Sequence, residues 1–282
     1  MEFPMEWLLQ GPVATTGPRL LPAAFLVVLV LAEAGISWYR GRAAYDLGET
    51  AATGVIMIGQ RLIGLVAAPL ILVPLFGLQD WRLFDIDMGD PLAVAALFLG
   101  VEFAYYWHHR AMHRFRLLWA THGAHHSSTR MNLTAAFRLG WGGQLTGGFL
   151  FYAPLVLIGF PPLAVLAMVA LNLFYQLFLH TAWAPNLGPL ERVLNTPRHH
   201  HVHHAVNDVC VDRNFGGVLI VFDRLFGTFQ PVPAEDLRYG TVDGTPTRNP
   251  LKVALSGWIE MGRRLIAARS FRSGISAVFG RP

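Results

Sequence analysis

The chain has 282 residues, 53% of them hydrophobic and only 14% charged, with a net charge of +4. So apolar a composition excludes an ordinary soluble surface and points to the membrane class, and a basic excess this small, spread between apolar stretches, argues against nucleic acid as a partner. Cys210 is the only cysteine, which leaves no internal disulfide, cysteine zinc site or iron–sulfur cluster, so any metal must be held by His, Asp or Glu.

In chain order, residues 20–39 form the first apolar run long enough to span a bilayer, ending on Trp38 and Tyr39 with Arg40 and Arg42 beyond. Ala32-Glu33-Ala34 resembles a signal-peptidase site, yet Glu2 and Glu6 with a single Arg make a poor leader flank, so a retained span is expected. Residues 50–78 are the second span, with bends expected at Pro69 and Pro74 and with Arg61 required to face protein or water. Residues 91–107 are the third and run directly into histidines. Residues 148–159 are too short to cross, and Pro161-Pro162 open a fourth run to His180, so this pair reads as a re-entrant hairpin or two tilted helices. Arg110, Arg114, Arg116, Arg130 and Arg138 crowd one loop whereas residues 80–90 are mainly acidic, which by the positive-inside rule puts the histidine-bearing segments in the cytoplasm. Residues 215–229 read as an interfacial or a packed helix, and 251–279 as an Arg-bearing amphipathic tail. With no internal repeat or linker, the expectation is one all-α integral-membrane domain over 1–282: about four spans plus a re-entrant hairpin.

All twelve histidines lie between His108 and His204. His109 and His113 are spaced i, i+4; His122, His125 and His126 are spaced i, i+3, i+4; His200, His203 and His204 repeat the latter. Residues at these spacings share a helix face, so each set is expected to aim several imidazoles at one point. With His180 they supply the eight or more nitrogens of a dinuclear centre. His108 points away from His113. Within 199–204 the register is ambiguous: Thr196 as cap and Pro197 in the first turn rank His200, His203 and His204 first, His199 next and His201 last. Imidazole suits Fe, Zn and Cu alike, so ligand type does not choose the metal. Glu102, Asp212, Asn214 and Asp223 are candidate partners for ligand N–H groups, or else helix caps and Arg partners; Arg138 and Arg198 are candidate head-group contacts. Arg110 stands where a His-x-x-x-His zinc protease needs Glu, no Gly-x-Ser-x-Gly occurs, and Gly140-Trp141-Gly142-Gly143 breaks the dinucleotide pattern at Leu145. Neither flavin nor nicotinamide domain is expected.

Glu102-Phe103-Ala104-Tyr105-Tyr106-Trp107-His108-His109-Arg110, His122-Gly123-Ala124-His125-His126-Ser127-Ser128 and Asn132-Leu133-Thr134-Ala135 resemble the fatty acid hydroxylase and sterol desaturase superfamily. His180-Thr181, Leu187-Gly188-Pro189-Leu190-Glu191, Leu194-Asn195-Thr196-Pro197 and Val202-His203-His204 resemble its bacterial members and its alkylglycerol monooxygenase branch. The resemblance covers roughly 102–229. It implies a cytosolic His-rich cap over a dimetal centre, here with His109, His113, His122, His125, His126, His180, His200, His203 and His204 as ligands and His199 as a tenth. It further implies two Fe ions (Zn possible as isolated), O2 as co-substrate, an external electron donor, and a membrane lipid hydroxylated or desaturated at a C–H bond, in a bacterial inner membrane. An ether-lipid monooxygenase is the alternative; Arg114, Thr129 and Arg198 depart from that branch. A non-redox zinc membrane protein and a pH-sensitive histidine module for binding or transport are the rival classes.

Overall fold

A computed structural model describes residues 17–242 and 246–282, with side chains from residue 24 onward. Glu2 and Glu6, which bear on the leader reading, lie outside the described residues. Among the described residues the architecture is helical, and β pairing is confined to two isolated bridges, Leu194 with Leu219 and Ala205 with Tyr239.

The chain divides into two units at Ala44 and Tyr45. The first holds α1 (Gly17–Tyr39), whose end is closed by the Ser37 hydroxyl donating to Arg42 O at 3.0 Å. The second contains α2 (Leu47–Ala67), α3 (Pro69–Gly77), α4 (Pro91–Arg114), α5 (Arg116–His125), α6 (Ala153–Ile158), α7 (Pro162–Leu179), α8 (Pro197–His204), α9 (Val221–Leu225), α10 (Pro250–Ala267) and α11 (Phe271–Phe279). Side-chain caps mark the starts: Asp46 accepts from Glu49 N, Asp90 from Leu92 N, and Asn249 from Leu251 N and Lys252 N.

Among the described residues, two helices are long and apolar enough to cross a membrane, Leu47–Ala67 and Pro162–Leu179, with a shorter apolar stretch at Ala24–Tyr39. The expected second span over 50–78 is therefore two helices. Pro69 has no N–H to continue the ladder and its ring clashes with the preceding turn, so α2 stops at Ala67 and α3 begins on the proline. Arg61 is exposed rather than packed, leaving water or a head group as its partner. The expected third span is the first part of the 24-residue α4, whose second half carries buried Glu102, Tyr105, Tyr106 and His109. Of the pair expected as a re-entrant hairpin or two tilted helices, 148–159 is a 3-10 turn followed by the six-residue α6, and the run to His180 is α7. Gly159 makes the turn into α7: its φ is +136°, and a Cβ there would lie 2.2 Å from Phe84 O.

One apolar core joins α3, α4, α6 and α7 through Leu75, Leu97, Val101, Leu155, Val156 and Val165. A second joins α2, α5 and α10 through Ile56, Ala124, Val253 and Ala254. In the latter, α10 crosses α5 so closely that a Cβ on Gly257 would come within 2.5 Å of Ala120 Cα. Buried Arg116 fixes the start of α5 by donating to Ser276 O at 2.7 Å, Ala277 O at 2.8 Å and Arg281 O. Arg138 is fully buried, donating to Ser127 Oγ at 2.8 Å, so it cannot meet a head group as expected; it locks the α5–α2 junction instead. Within residues 215–229, Phe215, Ile220 and Asp223 are buried, as the packed reading expects, while Arg224 and Leu225 are exposed.

Candidate metal centre

The last turns of α4, α5 and α8, and the C-cap of α7, converge. Helix C-termini carry partial negative charge, so their meeting place favours a cation. There the histidines form two groups: His109, His113, His122, His126 and His203 in one, and His125, His180, His200 and His204 in the other. Within each, the ligand atoms lie within 4.8 Å of one another.

The division corrects the expectation that each sequence set would aim at one point. At about 100° per residue, an i+4 residue sits about 40° from its partner while an i+3 residue sits about 60° to the other side. His122 and His126 accordingly share one group while His125 joins the other; His200 and His204 share a group while His203 crosses over. Helices α5 and α8 thus each serve both groups. The groups abut, with His126 stacked on His204 at a centroid distance of 4.4 Å.

The nitrogens need something between them. His122 Nε2 lies 3.1 Å from His109 Nε2, 3.1 Å from His113 Nε2 and 3.2 Å from His126 Nε2. His180 Nε2 lies 3.1 Å from His125 Nε2 and 3.0 Å from His200 Nε2, which is 3.1 Å from His204 Nε2. A neutral imidazole has one ring proton. His109, His180 and His203 donate theirs from Nδ1 to Phe215 O at 2.9 Å, Gln176 O at 2.8 Å and Arg213 O at 2.8 Å, so their Nε2 atoms are lone pairs facing other rings. His203 Nε2 is buried and meets no hydrogen-bond partner. One proton on His122 cannot satisfy three neighbours, whereas one cation satisfies all of them. Ligands about 2.1 Å from a single ion stand about 3.0–3.4 Å apart between right-angled and tetrahedral geometry, which the observed spacings match. The residues present fit a metal in each group. Burial and neighbouring imidazoles hold these rings well below the ordinary histidine pKa, that of His180 at about 4, so they are neutral donors near pH 7.

The remaining expected residues fall elsewhere. His199 belongs to neither group; its Nε2 lies 4.0 Å from Glu191 Oε2 and its ring packs edge-on against Phe229. His108 stacks on Phe151, and His201 donates to Thr181 O at 2.9 Å. Pro197 starts α8 as expected, but the Thr196 hydroxyl makes no cap. Asp212 accepts from His113 Nδ1 at 3.3 Å. Asn214 meets no ring nitrogen and clamps His199 O and Gln230. Glu102 and Asp223 act through the backbone: Asp223 accepts from Phe215 N and Gly216 N, each at 2.7 Å, and Glu102 from Val218 N at 2.9 Å and Leu219 N at 2.8 Å. Two buried carboxylates thereby hold the loop whose Phe215 carbonyl orients His109. Arg198 lies 3.8 Å from Glu191.

Sequence reasoning missed Asn172 and Gln176, buried on apolar α7, where they link Glu102 to Tyr105. Their i, i+4 spacing was the available signal. It also missed Trp119, which stacks on His126, and the backbone carbonyls that orient the rings, for which side-chain identity carries no signal.

Fold and site define a helical protein with membrane-type helices and a paired histidine centre fit to hold metal. Residues 94–228 match the family model described as fatty acid hydroxylase, and the chain carries that domain, as its motifs led one to expect. It is 35% identical over 260 residues to alkylglycerol monooxygenase of Homo sapiens, covering 92% of this chain and 58% of that protein. It is 38% identical over 204 residues to that of Xenopus tropicalis, covering 72% of this chain and 45% of that protein. To ornithine lipid hydroxylase OlsE of Rhizobium tropici it is 33% identical over 132 residues, covering 47% and 40%. The chain thus spans about half the length of these relatives. No solved structure matches it.

Proposed function

We propose that the protein is a membrane-bound, O2-dependent hydroxylase of a lipid C–H bond, holding one iron in each histidine group. The observation that carries this reading is the pair of convergent Nε2 clusters, five and four strong, at the meeting of helix C-termini. An unactivated C–H bond is beyond any side-chain base, and the iron pair would supply the redox chemistry with dioxygen. The protein's own residues do the rest. Phe215 O, Gln176 O and Arg213 O fix the tautomers of His109, His180 and His203, and Asp212 steadies His113. Burial keeps bulk water from His125, His180 and His200 of the four-histidine group.

A cavity of about 570 Å³, lined in part by His113, Trp119, His126, His203 and His204, reaches the histidines from the side walled by α10. We assign it as the aqueous approach for dioxygen and electrons, the latter from a separate electron-transfer protein. Four spans, with α1 and the apolar half of α4 joining α2 and α7, and cytoplasmic histidines, complete the topology of this reading. The relatives named as monooxygenases and a hydroxylase favour hydroxylation over desaturation, and the matches to alkylglycerol monooxygenases make an ether lipid the second reading for the substrate.

The test is metal analysis of the purified protein combined with lipid mass spectrometry of cells with and without it. Two irons per chain and an O2-dependent gain of about 16 mass units in one lipid class are expected. Stoichiometric zinc with activity indifferent to O2 would overturn the proposal.

A further inference from the structure

The C-terminal helices carry a surface that the metal site does not use. Helix α10 buries Val253, Ala254 and Met261 on one face, and Trp258 anchors that half by donating to Trp141 O at 2.7 Å. Beyond Met261 the anchoring stops: residues 263–267 are all exposed, so the end of α10 overhangs the core. Ile266 is 89% exposed and Phe271, which opens α11 four residues past the end of α10, is 86% exposed. Along α11 the exposed apolar side continues at i, i+4 and i+8 through Phe271, Ile275 and Phe279, while Ala277 packs inward. Ser270 caps α11 through a reciprocal box with Ser273, so the corner is a built turn that holds the two apolar ends at its apex.

Charge identifies what such a corner meets. Residues 251–282 contain Lys252, Arg263, Arg264, Arg269, Arg272 and Arg281 against the single acid Glu260. Glu260 is taken by Arg264 at 2.8 Å, which leaves Arg263, Arg269 and Arg272, all exposed, around Ile266 and Phe271. A protein partner would have to bring a matching cluster of acidic groups for three exposed arginines beside two apolar tips. The interface of a bilayer with anionic head groups meets both: the apolar side chains enter the acyl boundary while the guanidinium groups stay with phosphate.

The geometry points to the α10–α11 corner as an interfacial anchor that inserts Ile266 and Phe271 into an anionic lipid leaflet. The inference is independent of the metal chemistry and rests only on the membrane reading above. It places α10, which also walls the cavity, under the control of the lipid surface.

The test uses the full chain in nanodiscs. Buried Cys210 is replaced by Ala, and I266C or F271C carries a bimane label. In phosphatidylglycerol discs, emission is expected to shift to the blue, lipids brominated in the acyl chain should quench it about two-fold or more, and aqueous iodide should not; in phosphatidylcholine discs the protein is retained but the lipid quenching falls. Adding R263Q, R269Q and R272Q should reduce the phosphatidylglycerol signal to the phosphatidylcholine level. Free iodide access in both discs overturns the anchor, and lipid quenching that is equal in both discs overturns the anionic selectivity and with it the proposal. Failure to co-elute with either disc overturns the membrane reading as well, so the two failures are distinguishable.

Discussion

Asp212 and Asn214 both hold positive φ, at 57° and 56°, a conformation that costs a residue with a Cβ about 1–2 kcal/mol. The two differ in what they obtain for it. Asn214 ties three strands of chain together through His199 O and Gln230, whereas Asp212 reaches out to His113. Changing Asp212 to Gly should therefore relieve the strain, leaving thermal stability unchanged or slightly higher, while metal affinity falls about 10–100-fold by competition with a chelator. A loss of stability with unchanged affinity would make Asp212 a purely structural residue. At His125, replacement by Ala should remove metal from the four-histidine group and lower the content from two ions towards one per chain. His201→Ala, by contrast, should leave metal content intact, since that ring is engaged with Thr181 O and Tyr239. Cys210 is buried against Val202 and Ala205 and belongs to neither group, which is consistent with a site built from imidazole alone.

At the scale of elements, the helices are positioned by a few contacts that admit little substitution. Asp223 holds two backbone N–H groups and the Thr228 hydroxyl, so Asp223→Ala should cost about 3–5 kcal/mol, read as a lowered unfolding midpoint. Gly257→Val would force α10 off α5 at Ala120 and should cost about 1–3 kcal/mol by overpacking, with metal content falling in parallel because α5 carries three of the ligands. Much of this level was legible in the sequence. The helix starts at Pro91 and Pro197, the histidine pairs four apart and the amphipathic tail all follow from local spacing and cap chemistry. The end of α2 at Ala67 was signalled by Pro69 but read as a bend, because hydropathy over 50–78 runs on unbroken through the proline. The role of Arg138 was hidden for a different reason: an arginine in a basic loop looks the same whether it faces lipid phosphate or, as here, Ser127 and Thr53 on packed elements.

For the whole molecule, the sequence disclosed which histidines matter better than how they divide. Spacing identified eight rings that the structure brings together with His180, yet the separation into five and four depends on the mutual rotation of α5 and α8, a tertiary property. His199 was promoted by the resemblance and sits beside Glu191 instead. That division has a mechanical consequence. Since α5 and α8 each lend rings to both groups, neither helix can turn about its axis without disturbing both, and a cation seated in one group fixes the azimuth of the rings that serve the other. The two sites are then thermodynamically linked, and the second ion should bind more tightly than the first. Calorimetric titration of the metal-free protein is expected to show cooperative loading with few singly occupied chains, and His125→Ala should convert it to a single, weaker, hyperbolic step.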